Sequence, residues 1–268
     1  MSLTILLNAD DFGLTEGISR SILEAHDEGM LTGVSVLANG HFFDEAVAEA
    51  RRRPDLRLSV HLNLVEGMAL SHPGPLRHSF LSLWRAKTVP DKVRTELAAQ
   101  VRRVADAIGR APDGLNGHRH AHMIPGVFEC VLDLAEELSI PYVRLPEDRG
   151  PWRPGPGWIK RLVLNRLARR NRPLLQGRKV STCDAFLGVL HTGRMTTEAV
   201  RVGLRGIESG STVEILVHPG GAVPGDEELL RYRRFYFDPA RRRELEELKS
   251  GALKGLLESV AEKRLDMV

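Results

Sequence analysis

Short apolar runs alternate with helix-periodic segments along almost the whole chain, and this alternation restricts the fold more than any other property of the sequence. Leu6-Leu7-Asn8-Ala9-Asp10-Asp11-Phe12-Gly13 reads as a buried strand that stops in two adjacent carboxylates and a glycine. Ile18, Ile22, Leu23 and Ala25 follow at near-helical spacing as far as Gly29, with Thr15 as the expected N-cap. A second strand is expected over Gly33 to Asn39, and a second helix over residues 43 to 53, ended by Pro54. In Leu58-Ser59-Val60-His61-Leu62-Asn63-Leu64 the apolar residues share one face of a strand, while Ser59, His61 and Asn63 share the other. Val93, Leu97, Val101, Val104 and Ile108 mark a helix stopped by Gly109, and Gly114 to His122 reads as a strand. Pro125 then suits the first turn of a helix carrying Phe128, Val131, Leu132, Ala135 and Leu138. Strands are expected at Tyr142 to Leu145, near Val180 to Phe186 and at Val213 to Val217. Helices are expected over 158 to 171, from Thr197 to Ile207, and as one charged amphipathic segment over 239 to 263.

Strands and helices in strict alternation imply a mainly parallel sheet with crossover connections. A doubly wound sheet and a barrel both satisfy that pattern. The 268 residues match the ~250 typical of one α/β barrel, and no glycine-rich dinucleotide fingerprint is present. No linker divides the chain, since the turn-rich stretch 150 to 157 is too short. The expectation is a single domain over 1–268, an α/β fold built as one irregular (β/α) TIM-like barrel with mostly parallel strands.

Charge and cysteine content narrow the function. The 38 basic residues exceed the 35 acidic ones by only three, so nucleic-acid binding is not implied. The basic helix over 158 to 171, with Lys160, Arg161, Arg166, Arg169 and Arg170, reads as the solvated face of a peripheral element. Cys130 and Cys183 lack metal-ligand spacing and read as reduced structural thiols. The N-terminus lacks the basic flank and apolar run of a signal peptide, and no segment reaches the ~18 apolar residues of a membrane span. A cytoplasmic location is expected.

In parallel α/β sheets the chemistry gathers at the C-terminal ends of strands, and there the polar residues of this chain collect. Asp10 and Asp11 end the first strand, His61 lies late in the third, His118, His120 and His122 end the next, and His218 follows Val217. One carboxylate with two or three imidazoles is a normal donor set for a divalent metal that keeps a position open for water. The three histidines of the 118–122 tract share a parity, so the pattern alone does not choose among them. His26, His41, His72, His78 and His191 read as hydrogen-bonded or surface residues. Neighbouring strand residues point apart, so one aspartate would bind the ion while the other serves as general base. His218, in Val217-His218-Pro219-Gly220-Gly221, is suited to protonating a leaving group. The long irregular insertion over 66 to 90, with exposed-looking Phe80 and Trp84, and Arg144 at a strand end are candidates for the walls that select a substrate. Arg144 serves equally well as an ion-pair partner for Asp10.

Four blocks in order carry a resemblance: Asn8-Ala9-Asp10-Asp11-Phe12-Gly13, His61-Leu62-Asn63, Gly117-His118-Arg119-His120-Ala121-His122 followed by Pro125, and His218-Pro219-Gly220. Together they look like the YdjC family of carbohydrate deacetylases and span residues 8 to 220. The resemblance implies removal of an acetyl group from an N-acetylated sugar or oligosaccharide by metal-activated water. It places the metal ligands on Asp11, His61 and His118 and the base on Asp10, and analogy with the wider polysaccharide deacetylases puts the acid on His218; Arg144, His120 and His122 are expected to bind substrate. The implied cofactor is one divalent ion, zinc or magnesium. The implied partner is the carbohydrate, with no nucleic acid and no integral membrane segment, and with a homo-oligomer allowed. Asn116 stands where members of the family tend to have an aspartate, so weaker support behind His118 is expected. Alternatives are a metal-dependent hydrolase of another ester or phosphoester, and a catalytically weak sugar-binding barrel.

Overall fold

A computed structural model describes residues 2–76, 78, 80–85, 91–152, 155, 157–221, 226 and 234–261 of the chain. Six strands build one sheet: β1 (Thr4–Phe12), β2 (Gly33–Val36), β3 (Arg57–Leu62), β4 (Gly114–Gly117), β5 (Ala185–Leu187) and β6 (Thr212–Val217). Their order is β4-β3-β2-β1-β6-β5, and every pairing between them is parallel. β1 sits in the middle, flanked by β2 and β6, which makes its C-terminal end the natural meeting point of the molecule.

Helices supply the crossovers that parallel strands require. These are α1 (Glu16–Asp27), α2 (Phe43–Ala50), α3 (Phe80–Arg85), α4 (Asp91–Ile108), α5 (Val127–Glu137), α6 (Gly157–Asn171) and α7 (Thr197–Gly203), followed by α8 (Ala240–Lys249) and α9 (Gly251–Val260). The strands bury nearly everything they carry. Leu7, Ala9, Phe12, Val34, Val36, Val60, Leu115, Val213 and Ile215 are inaccessible, and the apolar stripes of α1, α4 and α5 pack against them.

A closed barrel was expected, and the sheet is instead an open, curled half-barrel. Edge strands β4 and β5 do not pair with each other. Residues 142–148 lie between them and make only single parallel bridges, Leu115 with Val143, Tyr142 with Ser181, and Asp148 with Phe186. The strand expected at Tyr142 to Leu145 is reduced to these bridges because Pro141 and Pro146 bracket it, and neither has an N–H to give to a ladder. The strand expected near Val180 to Phe186 likewise shrinks to Ala185–Leu187.

Other differences are local. The terminal segment is two helices, because Ser250 is extended (ψ 138°) and caps the second, its hydroxyl accepting from the Leu253 N–H at 3.2 Å. Pro125 precedes α5, whose N-cap is Gly126 at φ 82°. Thr15 occupies the N-cap of α1, yet its hydroxyl donates to Asp226 (2.9 Å) and caps nothing. Cys130 and Cys183 are buried free thiols. Within the 66–90 insertion Trp84 is exposed, while residues 77, 79 and 86–90 and the side chain of Phe80 lie outside the described residues. Among the described residues no helix is long and apolar enough to cross a membrane.

Candidate active site and metal centre

The end of β1 does not run as a regular strand. Its pairing with β2 jumps from Ala9–Val34 to Phe12–Val36, and Asp11 within the bulge has φ 70°. A bulge of this kind redirects side chains. Asp10 and Asp11, which would point apart on a regular strand, both line one cavity of about 220 Å³.

His61 reaches the same cavity from β3. Its Nε2 lies 3.8 Å from Asp10 Oδ2 and 3.8 Å from Asp11 Oδ1. On the far side of the ring, Nδ1–H donates to Asn116 Oδ1 at 2.5 Å, and the Asn116 amide donates to Ser35 Oγ at 2.6 Å. This fixes the tautomer and leaves the Nε2 lone pair facing the aspartates. Asn116 therefore supports His61; the expected weakness behind His118 does not arise from it.

His118 does not sit on a strand. β4 ends at Gly117, and His118–Met123 form a 3-10 turn in which Arg119 (φ 56°) and His120 (φ 59°) are left-handed. The three histidines consequently do not share a face. His118 Nδ1 lies 3.3 Å from Asp11 Oδ1 and 3.2 Å from His61 Nε2, while its Nε2 bonds to Glu66. His120 also lines the cavity, edge-on to Phe186. His122 is not among the lining residues; its Nε2–H donates to the Arg144 carbonyl at 3.1 Å, and burial pushes its imidazole down to about 3.

Arg144 is completely buried and is no substrate wall. Its Nη1 and Nη2 donate to the two oxygens of Asp10 at 2.7 and 2.9 Å, and its Nε donates to Glu214 at 2.7 Å. Tyr142 donates to the other oxygen of Glu214 at 2.6 Å, and Asn8 adds a bond to Asp10 at 3.1 Å. Burial alone would raise the Asp10 carboxyl, but the paired Arg144 outweighs it and holds Asp10 far below the usual carboxylate range. Asp11 is also held down: burial opposes ionisation, and His118 and Arg241 overcome it. His118 moves the other way. Burial disfavours its cation, yet the Asp11 and Glu66 carboxylates raise it to about 9.

His218 follows β6 into the cavity. Its backbone N–H donates to Glu244 at 2.9 Å, its ring meets Phe235 edge-on, and burial pushes the imidazole down to about 3.

Three functional neighbours carry no clear signal in the sequence pattern. Glu66 is placed by Asn63, whose side-chain oxygen accepts from the N–H groups of Val65 and Glu66, turning the chain back toward His118. The Asn63 of His61-Leu62-Asn63 is the residue that could have pointed to it. Arg241 and Glu244 lie on α8, fully buried, although Arg241-Arg242-Arg243 reads as solvated charge. The Arg241 Nε–H donates to Gly220 O at 2.9 Å, and its Nη1 lies 3.6 Å from Asp11 Oδ2.

The donors Asp11 Oδ1, His61 Nε2 and His118 Nδ1 thus form a triangle with sides of 3.8, 3.3 and 3.2 Å. Metal bonds of ~2.0–2.2 Å separate neighbouring ligands by roughly 3–3.5 Å; two of the sides fall in that range and the third, 3.8 Å, is slightly wider, so the residues present fit one divalent ion with a small closure of His61 on Asp11. Behind two of the donors stand an amide and a carboxylate, the usual outer partners of metal-bound imidazole.

A parallel α/β sheet with one carboxylate and two imidazoles converging at its strand ends defines the class. The pattern of the family described as YdjC-like protein matches residues 4–259, and the chain belongs to that family. A mouse carbohydrate deacetylase is 31% identical over 244 residues, covering 81% of this chain and 77% of the relative. A Salmonella paratyphi B chitooligosaccharide deacetylase is 36% identical over 147 residues, and that match spans 58% of the Salmonella protein and 52% of this chain. A crystal structure from Enterococcus faecalis, 24% identical, covers 98% of this chain and 97% of its own at a TM-score of 0.72, and shares the fold.

Proposed function

We propose that the protein is a metal-dependent carbohydrate deacetylase that hydrolyses the acetamide of an N-acetylated sugar. The observation that carries this reading is the donor triangle of Asp11, His61 and His118, assembled from three separate strand ends beside a second buried acid, Asp10. The mouse and Salmonella relatives supply the substrate chemistry by their names. A divalent ion held there supplies a Lewis acid for the acetamide carbonyl and lowers the pKa of water.

Asp10 takes the proton of the attacking water. Its clamp to Arg144 fixes both carboxylate oxygens and keeps the group ionised at any working pH. His218, which lines the same cavity, passes that proton on to the amine nitrogen as the C–N bond breaks. Arg144 and His122 are positioning residues behind Asp10 in this reading, and His120 is left facing substrate.

The donor set suits zinc through its two nitrogens and magnesium through its carboxylate. Two buried free thiols are in keeping with a reducing cytoplasm. With Asn116 engaged behind His61, nothing at the site favours the catalytically weak sugar-binding alternative. Acetate release from a panel of N-acetylated glycans, measured with and without chelator, tests the proposal. Chelator-sensitive release is expected, and release from simple esters alone would replace the acetamide reading.

A further inference from the structure

We infer that a second cleft beside the metal cavity is a saccharide subsite, in which Trp152 and Trp158 stack against sugar units beyond the one deacetylated; this rests on the deacetylase reading. The cleft has a volume of about 510 Å³ and is lined by the two tryptophans with Arg161, Leu162 and Asn165. Trp158, Arg161, Leu162 and Asn165 recur at the i, i+3, i+4, i+7 spacing of one face of α6. That face was expected to be solvated charge. It instead presents the Trp158 indole, 44% exposed, beside Leu162 at 58%, and Trp152, ahead of the helix, adds a second indole at 72%.

Size and position both point to an extended substrate. The metal cavity, about 220 Å³, falls below the ~300 Å³ at which pockets for larger ligands begin, so an oligosaccharide has to continue outside it. α6 borders both spaces, since Lys160 lines the metal cavity while Trp158 and Arg161 on the same turn line the cleft. Leu190, two residues from the cavity-lining Thr192, lies beside Gly157 at the start of α6. The chemistry suits a sugar. Flat indole faces match the apolar faces of pyranose rings, and Arg161 Nη1, buried with no partner among the described residues, offers a donor to a ring hydroxyl. An apolar face with no acidic residue on its helix could also meet an anionic lipid surface, and the test separates the two.

Tryptophan fluorescence titrations with triacetylchitotriose and with N-acetylglucosamine would be run on chelator-treated wild type, Trp152→Ala and Trp158→Ala, where no turnover intervenes. Steady-state acetate release would be followed in parallel. The expected result is a rise in KM on the order of tenfold for the trimer in Trp158→Ala, with kcat and the monosaccharide KM unchanged. Trp158→Tyr should restore most of the loss. Equal effects on trimer and monosaccharide, or none on either, would overturn the subsite. So would loss of binding to phosphatidylglycerol vesicles in the Trp152 and Trp158 variants with sugar affinity intact, which would assign the face to a membrane. If no glycan released acetate while the trimer still quenched the tryptophans, the deacetylase reading would fail and the subsite would stand.

Discussion

Asp10 and Asp11 are consecutive in the chain yet belong to regions of opposite character. The region around Asp10 is complete in itself: both of its oxygens, both oxygens of Glu214 and all three kinds of Arg144 nitrogen are engaged by hydrogen bonds. The region around Asp11 is incomplete. Its donors aim lone pairs at one another across 3.2–3.8 Å, an arrangement that only a cation or a proton can hold. Side by side, the two show how a single strand end can keep one carboxylate fixed and ionised while leaving its neighbour to seek a charge from outside.

The largest expected effect comes from breaking the incomplete region. Asp11→Asn should weaken metal binding by ~100-fold or more and reduce acetate release at least ~1,000-fold, while the melting temperature of the metal-free protein moves little. Chelator competition and calorimetry on the same preparation would check this. Retention of full metal affinity would sink the assignment.

Breaking the complete region should have the reverse profile. Arg144→Met leaves two buried carboxylates without their partner and should cost ~3–5 kcal/mol of unfolding free energy, read by urea denaturation. Metal affinity should change less than tenfold. If stability held and metal binding collapsed, the two regions would have to be regarded as one.

A subtler test uses the proton on His118. Its pKa is raised to about 9, so the metal-free protein carries that proton at neutral pH, and metal must displace it. Affinity should therefore climb about tenfold per pH unit up to about 9 and then level off, with one proton released per ion bound. The same shift makes the metal-free fold most stable below the ordinary histidine pKa and less so as pH rises through about 9. Glu66→Gln, by removing one of the carboxylates that raise the pKa, should move the plateau to lower pH. Calorimetry in buffers of different ionisation enthalpy measures the affinity, the proton release and the shifted plateau, and urea denaturation across the same pH range measures the stability.

Much of this site is legible in the order of residues alone. Asp10, Asp11, His61, His118 and His218 announce themselves because polar residues at the ends of apolar strands have no packing reason to be there, and parallel topology gathers strand ends together. The choice of His118 within its tract is not legible from periodicity, since the left-handed pair Arg119–His120 breaks the parity on which periodicity relies. Arg144 can be placed at a strand end, but whether it faces substrate or Asp10 depends on tertiary geometry. Glu66 hides in an irregular loop, and Arg241 in a run of arginines whose burial no local pattern signals. The parallel sheet follows from the alternation of elements; its failure to close follows from two prolines whose cost depends on which neighbour lacks a donor.

That open seam has a kinetic consequence. Arg144, the partner on which Asp10 depends, is carried by a segment tied to the sheet through isolated bridges, whereas Asp10 itself lies on a strand laddered on both sides. Amide exchange should accordingly reveal a hierarchy, with protons at Val143 and Arg144 trading with solvent through small local openings while those at the centre of β1 wait for global unfolding. Each such opening would momentarily release the arginine from its carboxylate, so the lifetime of the seam sets how long the base stays aligned.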